Sequence, residues 1–191
     1  MRFTAFLVAL IFAALPVGVT AAPYVMDKSH AHVTFTVNHL GFSSVHGQFR
    51  KFDAQIDFDP NNVEATSVSF QIDAASVETF WEARDKHIRS KDFLDVKNHP
   101  QITFATTSVV PTGAESAEIT GDLTIRGTTR SITLNARLNK LGPSPFNPNQ
   151  TIAGFTVTGQ IDRTQFGVNY AAPAVSAIIP IQIELEMSPA N

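Results

Sequence analysis

The stretch HAHVTFTVNH, residues 30–39, decides the fold. Ala31, Val33, Phe35 and Val37 fall on one phase, and His32, Thr34, Thr36 and Asn38 on the other. Successive side chains of a strand point to opposite faces, so this alternation describes a half-buried strand with an apolar inner face.

Working outward, the same pattern recurs. In VHGQFRKFDAQIDFD, residues 45–59, Val45, Gly47 and Phe49 share one phase while Phe52, Ala54, Ile56 and Phe58 share the other. The slip predicts a β-bulge near Arg50 and Lys51, where an extra residue bends a strand. Further alternating runs occupy residues 67–77, 101–110, 117–127, 131–141, 151–162 and 177–188, separated by turn-forming segments such as the three-proline loop 142–149. The pattern breaks in ETFWEARDKHIRSKDFLDV, residues 78–96, and TQFGVNYAAPAVS, residues 164–176, is irregular. In the first of these, Phe80, Trp81, Ala83 and Ile88 among charged neighbours predict a helix from about Val77 to Ser90. The class is therefore all-β: eight antiparallel strands with one helix inserted between strands three and four. Strands with one apolar face must stack as two sheets or close, and closure removes the exposed edges. Eight strands enclose an interior just wide enough to be filled by side chains or to hold one small ligand. A closed barrel is the predicted architecture, and a flattened sandwich is its competitor.

The opening MRFTAFLVALIFAALPVGVTAAP reads as a leader. Arg2 supplies a positive start, Phe6–Leu15 an apolar run too short to span a bilayer comfortably, and Val19-Thr20-Ala21 the small residues of a cleavage site. Residues 1–21 are expected to be a signal peptide. Cleavage after Ala21 is favoured over Ala22, because Pro23 would follow the later cut directly. Residues 22–191 then form a single domain of about 170 residues, enough for a core of its own. The mature chain has no second apolar span, and a periplasmic or secreted location follows. Loss of Arg2 leaves a chain one unit more negative than the −3 of the whole, which argues against a nucleic-acid partner. The absence of cysteine excludes a disulfide framework, a thiolate metal site and a cysteine nucleophile.

The interior is unusual in kind. The chain carries 15 Phe against 2 Tyr and 1 Trp, so its buried rings bring few donors that need partners. Such an interior is either a dry core or a dry cavity for an apolar guest. The inward-facing candidates are Val33, Phe35, Val37, Phe49, Ile56, Phe70, Phe104, Leu123, Leu134, Phe155, Val157 and Ile181. For any one of them plain core packing is the simpler account; the ligand reading rests on the set, because one small barrel need not use so many rings merely to fill itself. Beside them, the helical segment offers Arg84, His87, Arg89 and Lys91 as candidates for an anionic headgroup at the cavity mouth. Pairing of this basic face with Glu82, Asp85 and Asp92 is the competing account. His30 and His32 have an i, i+2 spacing that can chelate a metal, yet the polar phase of a strand mostly faces solvent, so no metal site is assigned. The chain lacks G-x-S-x-G, H-E-x-x-H and a Gly-rich phosphate loop. No catalytic residue and no cofactor is assigned, and the protein is not expected to be an enzyme.

Several segments, taken in order, resemble the YceI-like family. They are Asp27–His32 leading to Phe35; His39-Leu40-Gly41-Phe42; Gly47-Gln48-Phe49; His87–Val96 followed by His99–Phe104; Gly121–Thr129; and Asp162–Gly167. The resemblance spans essentially the whole chain after the leader. It implies an extended, lipocalin-like antiparallel barrel with a hydrophobic tunnel. It also implies a periplasmic protein that binds a polyisoprenoid lipid, such as a quinone or a prenyl diphosphate, and a homodimer is a possible assembly. The alternative function is that of an exported stress-related or metal-binding protein whose barrel is simply packed.

Overall fold

The computed structural model describes residues 21–190. The leader expected over residues 1–21 therefore lies outside the described residues except for Ala21. Among the described residues no helix is long and apolar enough to cross a membrane.

Among the described residues ten strand segments form one antiparallel sheet: β1 (Ala22–His39), β2 (Ser43–Phe49), β3 (Phe52–Phe58), β4 (Ser67–Asp73), β5 (Val77–Glu78), β6 (Gln101–Gly113), β7 (Ser116–Ile125), β8 (Thr128–Pro143), β9 (Thr151–Asp162) and β10 (Ile178–Pro189). The single α-helix among the described residues, α1 (Glu82–Arg89), lies between β5 and β6. The sheet closes because β10 pairs with β1, for example Ile181 with Phe35 and Met187 with Met26. β2 and β3 act as one bent stave, since both pair with β1 and the break falls at Arg50 and Lys51, where the phase slip predicts it. Counted that way, the barrel has eight staves with a short strand and a helix inserted after the third. This is the predicted class, and closure excludes the sandwich.

Two boundaries differ from expectation. The first strand begins at Ala22 rather than His30. Tyr24 and Met26 point inward on the opposite parity to Ala31 and Val33, so their continuity with 30–39 is hidden by a bulge. The bulge spans the register shift between Asp27 and His32, and the Asp27 carboxylate holds it by accepting from the Ser29 N–H at 2.8 Å and the Ser29 hydroxyl at 2.6 Å. The second difference is the helix, which starts at Glu82 and not at Val77. Val77 and Glu78 pair instead with Phe49 and Gln48, and burial of Val77 outweighs the helical pattern that surrounds it.

The strands give the cylinder two distinct ends. At the far end lie the β6–β7 turn, the 144–150 loop, and a 3-10 turn at Val63–Ala65. At the helix end β2 has only the two-residue β5 as partner on its outer side, and α1, residues 90–100 and residues 163–177 fill the gap. Three arginines staple that filling through backbone carbonyls. Arg89 donates to Ala75 and Val77, each at 2.9 Å; Arg126 donates to Gly167 and Lys91, each at 2.9 Å. Arg163, only 8% exposed, donates to Val168, Val175 and Ser176 at 2.6, 2.8 and 2.9 Å. Burial pushes the Arg163 guanidinium below its ordinary value, and the neighbouring Asp162 charge opposes that shift.

Candidate functional site

Burial in this barrel follows the wall rather than the axis. Buried apolar residues form separate clusters, one around Phe166 and Leu123 at the helix end, one around Tyr24, Phe58 and Ala153 at the far end, and two between. They surround a cavity of about 860 Å³ whose lining runs from Trp81, Arg84, His87 and Tyr170 at the helix end to Pro111, Gly113 and Leu141 at the far end. That volume lies at the upper part of the range for small-molecule sites.

Glycines explain why so many large residues leave room. Phe35 lies opposite Gly47, and its ring rests where a Gly47 Cβ would be. The Phe104 ring covers Gly121 in the same way, and Leu134 covers Gly159. A bulky side chain that lies flat on a neighbouring glycine lines the wall without reaching the axis. Ring contacts along the wall extend this lining: Phe35 with Phe49 at 5.6 Å, Phe52 stacked on Phe70 at 5.7 Å, and Phe58 edge-on to Phe155 at 5.4 Å. Gly47→Ala should displace the Phe35 ring toward the axis. A small cost in thermal stability with a clear loss of apolar-ligand binding is the expected result, measured by thermal unfolding and by displacement of a fluorescent lipid.

All twelve inward candidates line the cavity: Val33, Phe35, Val37, Phe49, Ile56, Phe70, Phe104, Leu123, Leu134, Phe155, Val157 and Ile181. Of the four headgroup candidates the cavity takes in only Arg84 and His87. Arg84 donates through Nε to the Thr79 hydroxyl at 2.7 Å and through one Nη to the Thr79 carbonyl at 2.6 Å. Its guanidinium stands 5.5 Å from the centre of the Trp81 ring. The buried Asp85 accepts from the Thr79 backbone and hydroxyl, which anchors the arrangement. His87 lies 3.2 Å from the Asp92 carboxylate and edge-on to Phe93 and Tyr170, each at 5.0 Å between ring centres.

Arg89 and Lys91 lie off the cavity. Arg89 spends its donors on Ala75, Val77 and Glu82, so it is a strut and not a ligand group. Lys91 is exposed. Of the competing helix pairings, Arg89 with Glu82 and His87 with Asp92 form, each at 3.2 Å. Sequence reasoning missed Trp81, Tyr170 and Leu40 at the helix end, and Pro60, Val63 and Thr66 at the far end, all of which line the cavity. These residues sit in turns, where no alternation marks which way a side chain points.

His30 does not pair with His32 as a chelate. Its ring meets Asp27 at 2.9 Å, and Asp27, His30 and Glu186 bring one ligand atom each to within 4.8 Å of one another on the outer surface. The two Ser29 donors and His30 hold the Asp27 carboxyl down at about 2, while Asp27 raises the His30 imidazole above its ordinary value. An exposed group of two carboxylates and one imidazole accounts for itself as an ion-paired turn.

The chain matches the model of the YceI-like domain over residues 24–187. A UPF0312 protein of Vibrio cholerae is 37% identical over 174 residues, covering 90% of each chain. Among solved structures, Burkholderia cenocepacia BcnA superimposes with a TM-score of 0.76 at 25% identity, over 84% of this chain and 98% of that one. A polyisoprenoid binding domain from Saccharophagus degradans, implicated in plant cell wall breakdown, superimposes with a TM-score of 0.66 over 88% of this chain and 99% of that one. At 13% identity that last likeness concerns the fold. With a family model matched across nearly every strand and a closed barrel of the same shape, the chain belongs to the YceI-like family.

Proposed function

We propose that this protein binds a polyisoprenoid lipid, with the tail along the barrel cavity and the headgroup at the helix end beside Arg84 and His87. The observation that carries the reading is the cavity itself, continuous from one end to the other and lined mainly by Phe, Ile, Leu and Val, with its charged residues Arg84, Arg163 and Glu115 near the two ends. A prenyl tail has no hydrogen-bonding atoms and needs walls without unpaired polar groups. A family with a polyisoprenoid binding domain among its structural relatives supports the same class of guest.

Magnitudes assign the affinity to the tail. A five-carbon isoprene unit is worth about 4 kcal/mol gross at ~0.8 kcal/mol per carbon, and about 1.5 kcal/mol net at the efficiency of drug-sized ligands. A tail of about eight such units would supply about 12 kcal/mol, near nanomolar affinity. A solvent-exposed headgroup ion pair adds about 1 kcal/mol or less. Trp81 and Tyr170, half exposed and lining the helix end, are suited to flank a ring or a diphosphate there.

In the cell the proposed setting is the periplasm or the extracellular space, following the expected leader, with carriage or storage of a quinone or prenyl diphosphate as the task. Native mass spectrometry of the protein purified from its own host under mild conditions should reveal an added mass that organic extraction removes and that fragments into isoprene units. Recovery of the bare chain alone, together with failure to take up an offered prenyl lipid, would overturn the reading.

A further inference from the structure

We infer that the helix-end mouth docks on an anionic phospholipid bilayer, so that a lipid tail passes between membrane and cavity without crossing water. The inference rests on the proposed lipid-binding function and adds a surface to it.

Three turns meet around this mouth. The β1–β2 turn touches the 167–177 loop through the Leu40 N–H to Ala174 carbonyl bond at 3.1 Å, and that loop touches α1 where Tyr170 meets His87. On these turns the barrel exposes Phe42 at 88%, Phe80 at 75%, Trp81 at 61%, Tyr170 at 50% and Leu40 at 48%. Five large apolar or aromatic residues on one rim exceed the scattered singles of an ordinary surface. Leu40, Trp81 and Tyr170 also line the cavity, so the exposed rim and the interior wall are one continuous apolar surface.

The backbone sets these residues outward at a cost. Leu40, Phe80 and Ala171 have φ values of 58°, 62° and 55°, in the left-handed region that side chains with a Cβ rarely adopt. For Phe80 the conformation is unfavourable, and the exposure it produces is unfavourable too. A ring turned outward in this way is placed for a bilayer interface.

Charge selects the partner among apolar surfaces. The chain is acidic overall, yet α1 and the residue pair beyond it carry Arg84, Lys86, Arg89 and Lys91 against Glu82, which pairs with Arg89, and the buried Asp85. Lys86 and Lys91 are exposed and have no ion pair among the described residues. The far end instead presents the acidic Glu64 and Glu115 beside the cavity. The exposed Lys86 and Lys91 beside the aromatic rim draw that end toward anionic headgroups.

The chain's single tryptophan reports on the rim directly, because it is Trp81. The test is flotation of the protein with vesicles of phosphatidylethanolamine and phosphatidylglycerol that contain no prenyl lipid, with Trp81 fluorescence followed using acyl-chain-brominated lipids. Expected are co-flotation, quenching of Trp81, and weaker flotation with zwitterionic vesicles or in high salt. The variant Phe42→Ser with Phe80→Asn alters two residues outside the cavity lining, and asparagine tolerates the left-handed conformation. It should lose flotation by about tenfold or more while still binding a detergent-solubilised prenyl lipid like the parent. Flotation unchanged in the variant, or a parent that binds prenyl lipid but does not float, overturns the docking inference and spares the lipid-binding reading. A rim-dependent dimer in solution with no flotation overturns it in favour of a second copy on this face. A parent that floats but takes up no prenyl lipid retains the docking surface and removes the proposed guest.

Discussion

Ala136→Phe should abolish high-affinity lipid binding and leave the fold as stable as before. Ala136 is buried, lines the cavity, and pairs with Ala117 and Val157 on the neighbouring staves. A benzyl group added there projects into the lumen. In a close-packed core such a change would force off-rotamer neighbours at about 1–3 kcal/mol. In an open lumen the added ring buries apolar area, worth about 1.5–3 kcal/mol at most, and offsets whatever adjustment the wall makes. The ring also blocks the path of a threaded tail and displaces at least one isoprene unit, so binding falls by about a hundredfold if the tail cannot pass it. Thermal unfolding and lipid titration on the same sample measure both quantities. A strongly destabilised variant would place Ala136 in a packed core, and unchanged binding would place the ligand elsewhere.

The second large effect concerns the helix end. Arg163→Ala removes a buried guanidinium that satisfies three carbonyls, those of Val168, Val175 and Ser176, and that stands 5.9 Å from the Phe93 ring centre. Charge-assisted hydrogen bonds are each worth about 1.5–3 kcal/mol, and the carbonyls left behind lose their partners. A loss of about 3–4 kcal/mol is expected, which for a domain of this size lowers Tm by about 10 °C. Arg163→Lys should recover little, because an ammonium cannot span three carbonyls held in a fork. Calorimetry checks the prediction. A Tm within a degree or two of the parent would mean that the 163–177 segment stands without its staple.

The same arginines mark where sequence reasoning succeeds and where it stops. Period-two alternation brings twelve named residues to the cavity wall because the facing of a strand residue is set by its neighbours in the chain. The slip at Arg50 and Lys51 is legible for the same reason, since both halves of the bent stave keep strict phase. The bulge at Lys28–His30 hides the start of β1, because three extra residues reverse the parity of Tyr24 and Met26. Arg89 reads as a free cation on a helix face, yet its partners are carbonyls of Ala75 and Val77, brought there only by the short β5 pairing. Arg126 and Arg163 lie in the segments that carry the family resemblance, and they hold the helix end together; neither spacing nor charge points to that role.

The choice between a filled and a hollow barrel was also written in the chain, in residues easily passed over. Gly47 and Gly121 stand in phase with the inward apolar residues, and each lies beneath a phenylalanine ring. A glycine in an inward position of a strand weakens the strand and leaves space, and a large neighbour that covers it turns sideways along the wall. The count of rings suggests a bulky interior; their glycine partners say that the bulk is spread around the circumference.

The hollow barrel is tested most directly by the dependence of affinity on prenyl chain length. Delivered from cyclodextrin or detergent and titrated by Trp81 fluorescence or calorimetry, alcohols of increasing length should bind about tenfold more tightly per added isoprene unit. The rise should level off once the tail fills the cavity from the helix end to the far end. Affinity that is the same for two units as for eight would mean that the tail does not lie inside, and would contradict the account at its base.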